Sequence, residues 1–187
     1  MNTRHICGVD EVGRGTLAGP VVASAVILQE NHKIEGLNDS KKLSVKNREL
    51  LFTLIIESSI SVGIGIIDSQ IIDKLNIRRA TLLAMKNAVL DLKTKPDVVL
   101  VDGLDKIDIN IPNENIIKGD SKIDCIMAAS IIAKVKRDHL MKEYSNKYPE
   151  FGFEKNKGYG TKFHLNALKT NSPSPIHRMT FKPIKKK

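Results

Sequence analysis

Four consecutive apolar residues, Val98-Val99-Leu100-Val101, constrain the fold of this chain more than any other segment. A short, largely β-branched run without alternating polar residues is typical of a strand that is buried on both faces, as in the middle of a helix-covered sheet. The run ends at Asp102-Gly103. The segment therefore predicts an α/β domain in which a central strand delivers a carboxylate to the end of the sheet where ligands usually bind.

The rest of the apolar pattern predicts a mixed sheet with helical crossovers. Strands are predicted at residues 4–10, 21–28, 59–67 and 115–118, helices at 44–58, 68–92, 119 to beyond 135 and 161–171, and a loop at 149–160. The first two strands can form an antiparallel hairpin, whereas later strands follow helices and can pair in parallel. We expect one domain over residues 1–187, with a mixed central β-sheet flanked by α-helices.

Length, composition and charge narrow the classes of protein that this chain can represent. With 187 residues, 41% apolar and 27% charged, it can bury a core and fits neither a disordered nor a fibrous protein. The net charge of +9 favours a polyanionic partner such as nucleic acid, although lysines that only solubilise the protein are an alternative. The candidate phosphate-binding residues are Lys134, Lys136, Arg137 and Lys142 in the long helix and Lys182, Lys185, Lys186 and Lys187 in the tail, about residues 182–187.

The sequence predicts neither an export signal nor a membrane span. The chain starts directly with a strand-like segment, and no apolar run approaches the roughly 18 residues that span a bilayer. Cys7 and Cys125 lie in apolar runs, which predicts buried, reduced thiols. We expect a cytoplasmic monomer that makes no contact with membranes.

Two acidic positions are better explained by a functional site than by packing. Asp10-Glu11 ends the first predicted strand directly before Gly13-Arg14-Gly15, and Asp102 ends the central strand. Neighbouring residues of a regular strand face opposite sides, so both Asp10 and Glu11 can serve one site only if the strand ends or bulges there. The two glycines make such a break plausible.

Asp120 has two interpretations. It precedes the predicted long helix, where aspartate is a favoured N-cap, and by position alone capping is the more common role. Asp124, one turn further, is another candidate for the same site. Three or four carboxylates without nearby His or Cys suit Mg²⁺ or Mn²⁺ better than Zn²⁺. A pair of such ions suits phosphodiester cleavage.

A series of motifs, in order along nearly the whole chain, resembles bacterial ribonuclease HII. The motifs are Gly8-Val9-Asp10-Glu11-Val12-Gly13-Arg14-Gly15, Leu17-Ala18-Gly19-Pro20-Val21-Val22, Asp39-Ser40-Lys41-Lys42-Leu43, Val101-Asp102-Gly103, Lys118-Gly119-Asp120-Ser121, residues 128–138, Lys157-Gly158-Tyr159-Gly160-Thr161 and His177-Arg178. A lone Asp-Glu pair would be weak evidence of kinship, whereas this ordered series is specific. The resemblance implies a ribonuclease H-like fold.

The resemblance also implies a function and assigns residues to it. The implied activity is endonucleolytic, metal-dependent cleavage of the RNA strand of RNA/DNA hybrids, and cleavage 5′ of single ribonucleotides in duplex DNA, leaving 3′-hydroxyl and 5′-phosphate ends. Two Mn²⁺ or Mg²⁺ ions are implied during catalysis. The implied catalytic and metal-binding residues are Asp10, Glu11, Asp102 and Asp120, and the implied substrate-binding residues are Gly13, Arg14, Gly15, Ser40, Lys41, Lys42 and Tyr159.

Within that resemblance, the glycine motif and the tyrosine have different tasks. The backbone of Gly13-Arg14-Gly15 is expected to contact the ribose 2′-hydroxyl, because glycines allow a close approach of the main chain. Tyr159 is expected to stack on the next sugar, which is a deoxyribose. His177 either positions substrate or holds the C-terminal segment, and the structural role is favoured.

Departures from the family pattern are few. Thr16 stands where proline is common, and Met179-Thr180-Phe181 stands where serine usually precedes the phenylalanine. The catalytic pair begins at residue 10, which favours ribonuclease HII over ribonuclease HIII with its additional N-terminal domain. Two rival classes are a non-catalytic nucleic-acid module, which leaves the acids unexplained, and a nuclease or integrase that acts on DNA alone, which leaves Gly13-Arg14-Gly15 and Tyr159 unexplained.

Overall fold

The computed structural model describes residues 4–184 and contains a five-stranded sheet flanked by helices. The strands are β1 (Ile6–Val12), β2 (Val21–Ile27), β3 (Ser61–Ile67), β4 (Val98–Asp102) and β5 (Asn113–Ile116). The helices are α1 (Val45–Ser58), α2 (Ser69–Leu75), α3 (Ile77–Leu90), α4 (Asp124–Lys147), α5 (Phe153–Asn156) and α6 (Lys162–Thr170), with 3₁₀ turns at Gly119–Ser121 and Pro149–Phe151. Lys185, Lys186 and Lys187 of the predicted basic tail lie outside the described residues.

The sheet is mixed, as the sequence predicts. Its strand order is β3-β2-β1-β4-β5, with β1 antiparallel to β2 and parallel to β4, and β2 antiparallel to β3. In the β1–β4 pair, Val9 lies opposite Val101. The next residue of each strand, Asp10 and Asp102, therefore stands at the same end of the sheet.

Helices cover both faces of the sheet. On one face, α3 packs against β2 and β3 over a buried cluster that includes Val9 and Val101. On the other face, α4 crosses β1 and β2, with α1 against it. Small residues of α4 such as Ala128 and Ala129 bring its axis close to the sheet, and Gly8 of β1 leaves room for the backbone of Cys125. α4 therefore packs closely against the middle of the sheet.

Several element boundaries predicted from the sequence hold, and others need correction. Ser44 caps α1 and Thr161 caps α6, each through its side-chain oxygen. The helix predicted over residues 68–92 is instead two helices, because Asn76 adopts φ +72° and caps α3. The predicted loop 149–160 contains a 3₁₀ turn and α5, and β5 begins two residues earlier than predicted and ends at Ile116.

A further correction concerns the start of the long helix. Residues 119–121 form a separate 3₁₀ turn, and α4 begins at Asp124 with Ile123 as its N-cap. Lys118 takes a left-handed conformation, φ +56°, which turns the chain before the helix. Asp120 is therefore not the N-cap that its position suggests.

The cysteine prediction is confirmed, since Cys7 and Cys125 are both buried and free. Within residues 4–184, no helix combines the length and the apolar character that crossing a membrane requires.

The close contact between β3 and α3 makes Gly65 sensitive to substitution. A Cβ on Gly65 would collide with the carbonyl oxygen of Ala84, which is helix backbone and cannot swing aside. We expect Gly65→Ala to lower the free energy of unfolding by about 1–3 kcal/mol, measured by denaturant titration. Gly15→Ala is the control, because a Cβ there meets nothing within 4 Å. Equal stabilities for the two variants would contradict this packing.

Candidate metal centre and nucleic-acid interface

Two adjacent parallel strands place the first two acids of the site. Asp10 of β1 is only 5% exposed, and its Oδ1 accepts a hydrogen bond from the backbone N–H of Glu11 at 2.7 Å. Asp102 ends β4, and its Oδ1 accepts from the N–H of Gly119 at 2.7 Å. These bonds fix the rotation of each carboxylate and connect Asp102 to the 3₁₀ turn that carries Asp120.

Asp120 completes a group of three carboxylates. One oxygen each from Asp10, Asp102 and Asp120 lies within 4.8 Å of the others, the only such group of His, Cys, Asp or Glu side chains within residues 4–184. We call these three residues the acidic cluster. The side chain of Asp120 is mostly buried, and Lys41 lies 3.7 Å from its Oδ2.

Glu11 and Asp124, the other acids considered, lie outside the acidic cluster. The carboxylate of Glu11 is mostly buried and pairs with Arg14 at 3.3 Å. Glu11 is nevertheless close enough that its charge raises the pKa of Asp10. Asp124 is exposed and lies 3.3 Å from His32.

The electrostatics of the acidic cluster favour a bound cation. Burial, together with the charge of Glu11, raises the pKa of Asp10 well above its usual value. Burial also raises the pKa of Asp102, although the N–H of Gly119 opposes this. The only donor atoms are carboxylate oxygens that repel one another, a set that fits a hard divalent ion such as Mg²⁺ or Mn²⁺.

Directly after β1, residues 13–20 form a turn that we call the glycine loop. Gly13 and Gly19 adopt φ of +94° and +85°, a region that side-chain-bearing residues rarely occupy. A Cβ on Gly13 would also overlap the Arg137 side chain, whereas one on Gly15 would meet open space. The glycine loop therefore packs against α4 on one side and leaves Gly15 accessible.

Two buried arginines hold the glycine loop from inside the protein. Arg178 donates through Nη1 to the carbonyl of Arg14 at 2.7 Å and through Nη2 to the carbonyl of Gly13 at 2.6 Å and that of Gly19 at 2.9 Å. Arg137 donates to Pro20 and to other groups of the loop. Both side chains are fully buried, so Arg137 is not part of the surface that was predicted to bind phosphate.

Tyr159 lies beside the glycine loop. The backbone N–H of Leu17 donates to the carbonyl of Gly158 at 2.8 Å, which joins the loop to the segment that carries the tyrosine. Tyr159 is 44% exposed, and the carbonyl of this residue accepts from the N–H of Thr161. An aromatic ring is thus presented to solvent from a firmly bonded backbone.

A pair of buried histidines is hydrogen bonded to the Tyr159 backbone. The N–H of Ser174 donates to Nδ1 of His177 at 2.9 Å, so the proton of this neutral ring is on Nε2. Nε2–H then donates to Nε2 of His164 at 2.9 Å, and Nδ1–H of His164 donates to the carbonyl of Tyr159 at 2.9 Å. Burial lowers the pKa of both rings, that of His177 to about 4. His177 therefore has the structural role that the sequence analysis favours.

The remaining predicted substrate-binding residues are Ser40, Lys41 and Lys42, of which Lys41 lies near Asp120. Ser40 is buried and its hydroxyl bonds that of Ser130 at 2.9 Å, so it is not presented to solvent. The Lys41 side chain is largely exposed. Burial lowers the pKa of Lys41, but Asp39 and the acidic cluster outweigh this and raise it overall. Lys42 is exposed as well.

The candidate phosphate-binding residues of α4 differ in their exposure. Lys142 is exposed and Lys136 is partly so, but Lys134 pairs with Asp138 at 2.7 Å, and both of these side chains are largely buried. Lys182 is exposed.

Sequence reasoning did not find the supporting roles of Arg137, Arg178 and His164. Arg137 stands among the apolar and small residues of α4, and an arginine on an otherwise buried stripe is the signal that could have identified it. For His164 the sequence offers no comparable signal, because its partner His177 is brought to it only by the fold.

Comparisons with known proteins agree with this geometry. The family model described as ribonuclease HII matches residues 7–184. The ribonuclease HII of Endomicrobium trichonymphae is 52% identical over 180 residues, covering 96% of this chain and 86% of that protein. The one from Enterococcus faecalis is 54% identical over 182 residues, covering 97% and 71%. The crystal structure of ribonuclease H2 from Pyrococcus horikoshii superposes with a TM-score of 0.82 at 27% identity, covering 96% of this chain and 94% of that one. The ribonuclease H-like architecture is thereby confirmed.

The buried charge of Asp10 has a measurable effect on stability. A carboxyl whose folded pKa lies above its unfolded value of about 3.9 destabilises the folded protein increasingly as the pH rises past that value. We therefore expect Asp10→Asn to unfold at a higher temperature than the unaltered protein at pH 7 in EDTA, by roughly 2–4 °C per kcal/mol of relieved repulsion.

The same comparison has two internal checks. The difference in Tm should shrink as the pH falls and should vanish only below the unfolded pKa of about 3.9, where Asp10 is protonated in both states. Added Mn²⁺ should raise the Tm of the unaltered protein more than that of Asp10→Asn. A variant that melts lower at pH 7 in EDTA would contradict the proposed repulsion.

Proposed function

The chain belongs to the ribonuclease HII family, and on that premise we propose that it cuts nucleic acid where RNA passes into DNA. Membership makes the protein a ribonuclease H, an endonuclease that acts on RNA/DNA hybrids. The finer proposal is cleavage on the 5′ side of the last ribonucleotide before DNA. This includes a single ribonucleotide within duplex DNA.

One observation carries the proposal: the acidic cluster, the glycine loop and Tyr159 come together at one end of the sheet. Asp10 lies near the C-terminal end of β1, and Asp102 ends the neighbouring parallel strand β4. The glycine loop begins directly after β1, three residues beyond Asp10. The segment of Tyr159 is hydrogen bonded to that loop. A phosphate at the acidic cluster would thus have its neighbouring sugars within reach of groups that can distinguish ribose from deoxyribose.

The acids supply the chemistry of hydrolysis by holding metal. Asp10, Asp102 and Asp120 would be the principal ligands and Glu11 an additional one, after its ion pair with Arg14 opens. Divalent ions, Mg²⁺ or Mn²⁺ and two of them in our proposal, supply Lewis acidity and acidify an attacking water when bound. When that water displaces the 3′-oxygen from the phosphorus, hydrolysis leaves a 3′-hydroxyl and a 5′-phosphate.

The uncharged parts of the site supply selectivity. The accessible backbone at Gly15 can bond a ribose 2′-hydroxyl because no side chain blocks it. The exposed Tyr159 ring would pack against the following sugar, where an apolar face accepts deoxyribose and a 2′-hydroxyl would obstruct contact. Arg14, Lys41 and Lys42 would bind neighbouring phosphates, while the buried Ser40 would hold the turn that carries both lysines.

The proposal also includes several expectations that come from the sequence. These are a single catalytic domain over residues 1–187, a monomeric protein, localisation in the cytoplasm and a role in removing ribonucleotides from DNA. The following assay distinguishes this function from that of a nuclease that acts on DNA alone.

The assay uses one duplex sequence in three forms: all DNA, DNA with one ribonucleotide, and an RNA/DNA hybrid. We expect the unaltered protein with Mg²⁺ or Mn²⁺ to cut the second form once, 5′ of the ribonucleotide, and to leave all-DNA intact. Asp102→Asn, which keeps the shape of the side chain but loses its charge, should abolish cutting and retain duplex binding. Equal cutting of all-DNA would refute the proposal in favour of the DNA-only nuclease.

The same duplexes test Tyr159. Tyr159→Ala should reduce cutting of the single ribonucleotide by about tenfold or more, a loss typical of misplaced reacting groups, while affinity for duplex changes little because phosphate contacts dominate it. Tyr159→Phe retains the ring and should retain most of the activity. If Tyr159→Ala cuts the single ribonucleotide as well as the unaltered protein does, stacking on the sugar is not the basis of selectivity.

A further inference from the structure

We propose that Arg137 is a positioning residue that holds the glycine loop and Tyr159 at a set separation and so determines how well the site selects an RNA–DNA junction. The inference rests on the function proposed above. Arg137 lies beneath the site in α4 and is fully buried, so it contributes by placing other groups and not by touching substrate.

The hydrogen bonds of Arg137 reach both parts of the site. Towards the glycine loop, Nε donates to the carbonyl of Pro20 at 2.9 Å, and Nη2 donates to the carbonyl of Ala18 at 3.1 Å and to Oγ1 of Thr16 at 2.9 Å. Towards the tyrosine, Nη1 donates to the carbonyl of Lys157 at 2.9 Å. One rigid, planar group therefore connects two segments that are distant in sequence.

Thr16 extends this connection to the motif that is expected to contact the 2′-hydroxyl. Its hydroxyl accepts from Arg137 and donates to the carbonyl of Gly13 at 3.1 Å. Thr16 stands where proline is common in the family, and proline has no hydroxyl. In this chain, the path from the guanidinium to the Gly13 backbone consists of two hydrogen bonds.

Packing alone does not explain a charge at this position. Asp138, the next acid along α4, pairs with Lys134 at 2.7 Å, and no ion pair involving Arg137 occurs within residues 4–184. Burial lowers the pKa of Arg137 to about 10. A cation that is removed from water and surrounded mainly by carbonyls is costly to bury, and an apolar side chain of similar volume would pack without that cost. Such an apolar side chain would lack the N–H groups through which Arg137 donates hydrogen bonds to both segments.

Arg178 provides a contrast within the same loop. Its guanidinium bonds only carbonyls of the glycine loop, at Gly13, Arg14 and Gly19. It can fix the shape of the loop but makes no hydrogen bond to the segment that carries the tyrosine. The separation between loop and tyrosine therefore depends on Arg137 and on the bond from Leu17 N–H to the Gly158 carbonyl. The histidine pair adds an indirect connection, because His177 belongs to a segment that is hydrogen bonded to the loop.

The distance between the glycine loop and the Tyr159 ring matters only where the protein contacts two neighbouring sugars at the same time. At a junction, the backbone of the glycine loop must meet a 2′-hydroxyl while Tyr159 meets a deoxyribose. On a uniform RNA strand, no deoxyribose follows the cut within the hybrid, so a shift of about 1 Å between loop and ring should affect the junction more.

The test compares substrates within each variant. Arg137→Lys keeps the charge but has a point-like donor that cannot span both segments. Thr16→Val removes the hydroxyl at nearly constant volume, and Thr16→Ser restores it. Ile55→Ala, a buried change in α1 away from the site, controls for lost stability.

The measured quantity is the ratio of kcat/KM for one embedded ribonucleotide to kcat/KM for the hybrid. The second readout is the ratio of Kd values for duplexes with and without the ribonucleotide, in EDTA.

We expect Arg137→Lys to lower the cleavage ratio by about tenfold, Thr16→Val to lower it by roughly threefold, and Thr16→Ser and Ile55→Ala to leave it within twofold of the unaltered protein. The ribonucleotide preference in EDTA should fall in parallel. Should Arg137→Lys fail to fold, the Thr16 pair decides the question. Unchanged ratios in Arg137→Lys and Thr16→Val overturn this inference alone, whereas an unaltered protein that cannot cut the junction overturns the proposed function.

Discussion

The structure of the site depends on two buried guanidinium groups that satisfy the inward-facing backbone of the glycine loop. A buried carbonyl without a donor is costly, and this loop turns several of them away from solvent. Arg137 and Arg178 supply the donors from α4 and from a segment near the C-terminal end of the described chain. The loop can therefore take its shape only after distant parts of the chain have docked, and the backbone that faces substrate is a product of the whole fold.

The same end of the sheet carries an unfavourable concentration of negative charge. The register of β1 and β4 places Asp10 beside Asp102, and the bond from Gly119 brings Asp120 toward them. Burial and mutual repulsion raise the pKa of Asp10, so the rest of the fold has to hold together groups that oppose one another. Such repulsion between carboxylates is expected where a protein binds a cation. We propose that the acidic cluster and the glycine loop belong to one site.

Local patterns in the sequence predict much of the fold, and the errors share one cause. The strand before Asp102, the helices predicted to begin at Ser44 and Thr161, and the β1–β2 hairpin depend on neighbouring residues and are confirmed. The helix break at Asn76 and the 3₁₀ turn that carries Asp120 depend on how the chain must turn to pack, which spacing alone does not encode. The same limit applies to the site: strand ends indicate Asp10 and Asp102, whereas the buried roles of Arg137 and His164 arise from tertiary contacts.

A crystal structure of the protein soaked in Mn²⁺, with anomalous scattering used to locate the ions, tests the account most directly. We expect manganese bound by carboxylate oxygens of Asp10, Asp102 and Asp120, with the glycine loop held by Arg137 and Arg178 as described. Manganese bound only elsewhere, or no peak at the acidic cluster at saturating Mn²⁺, would contradict it.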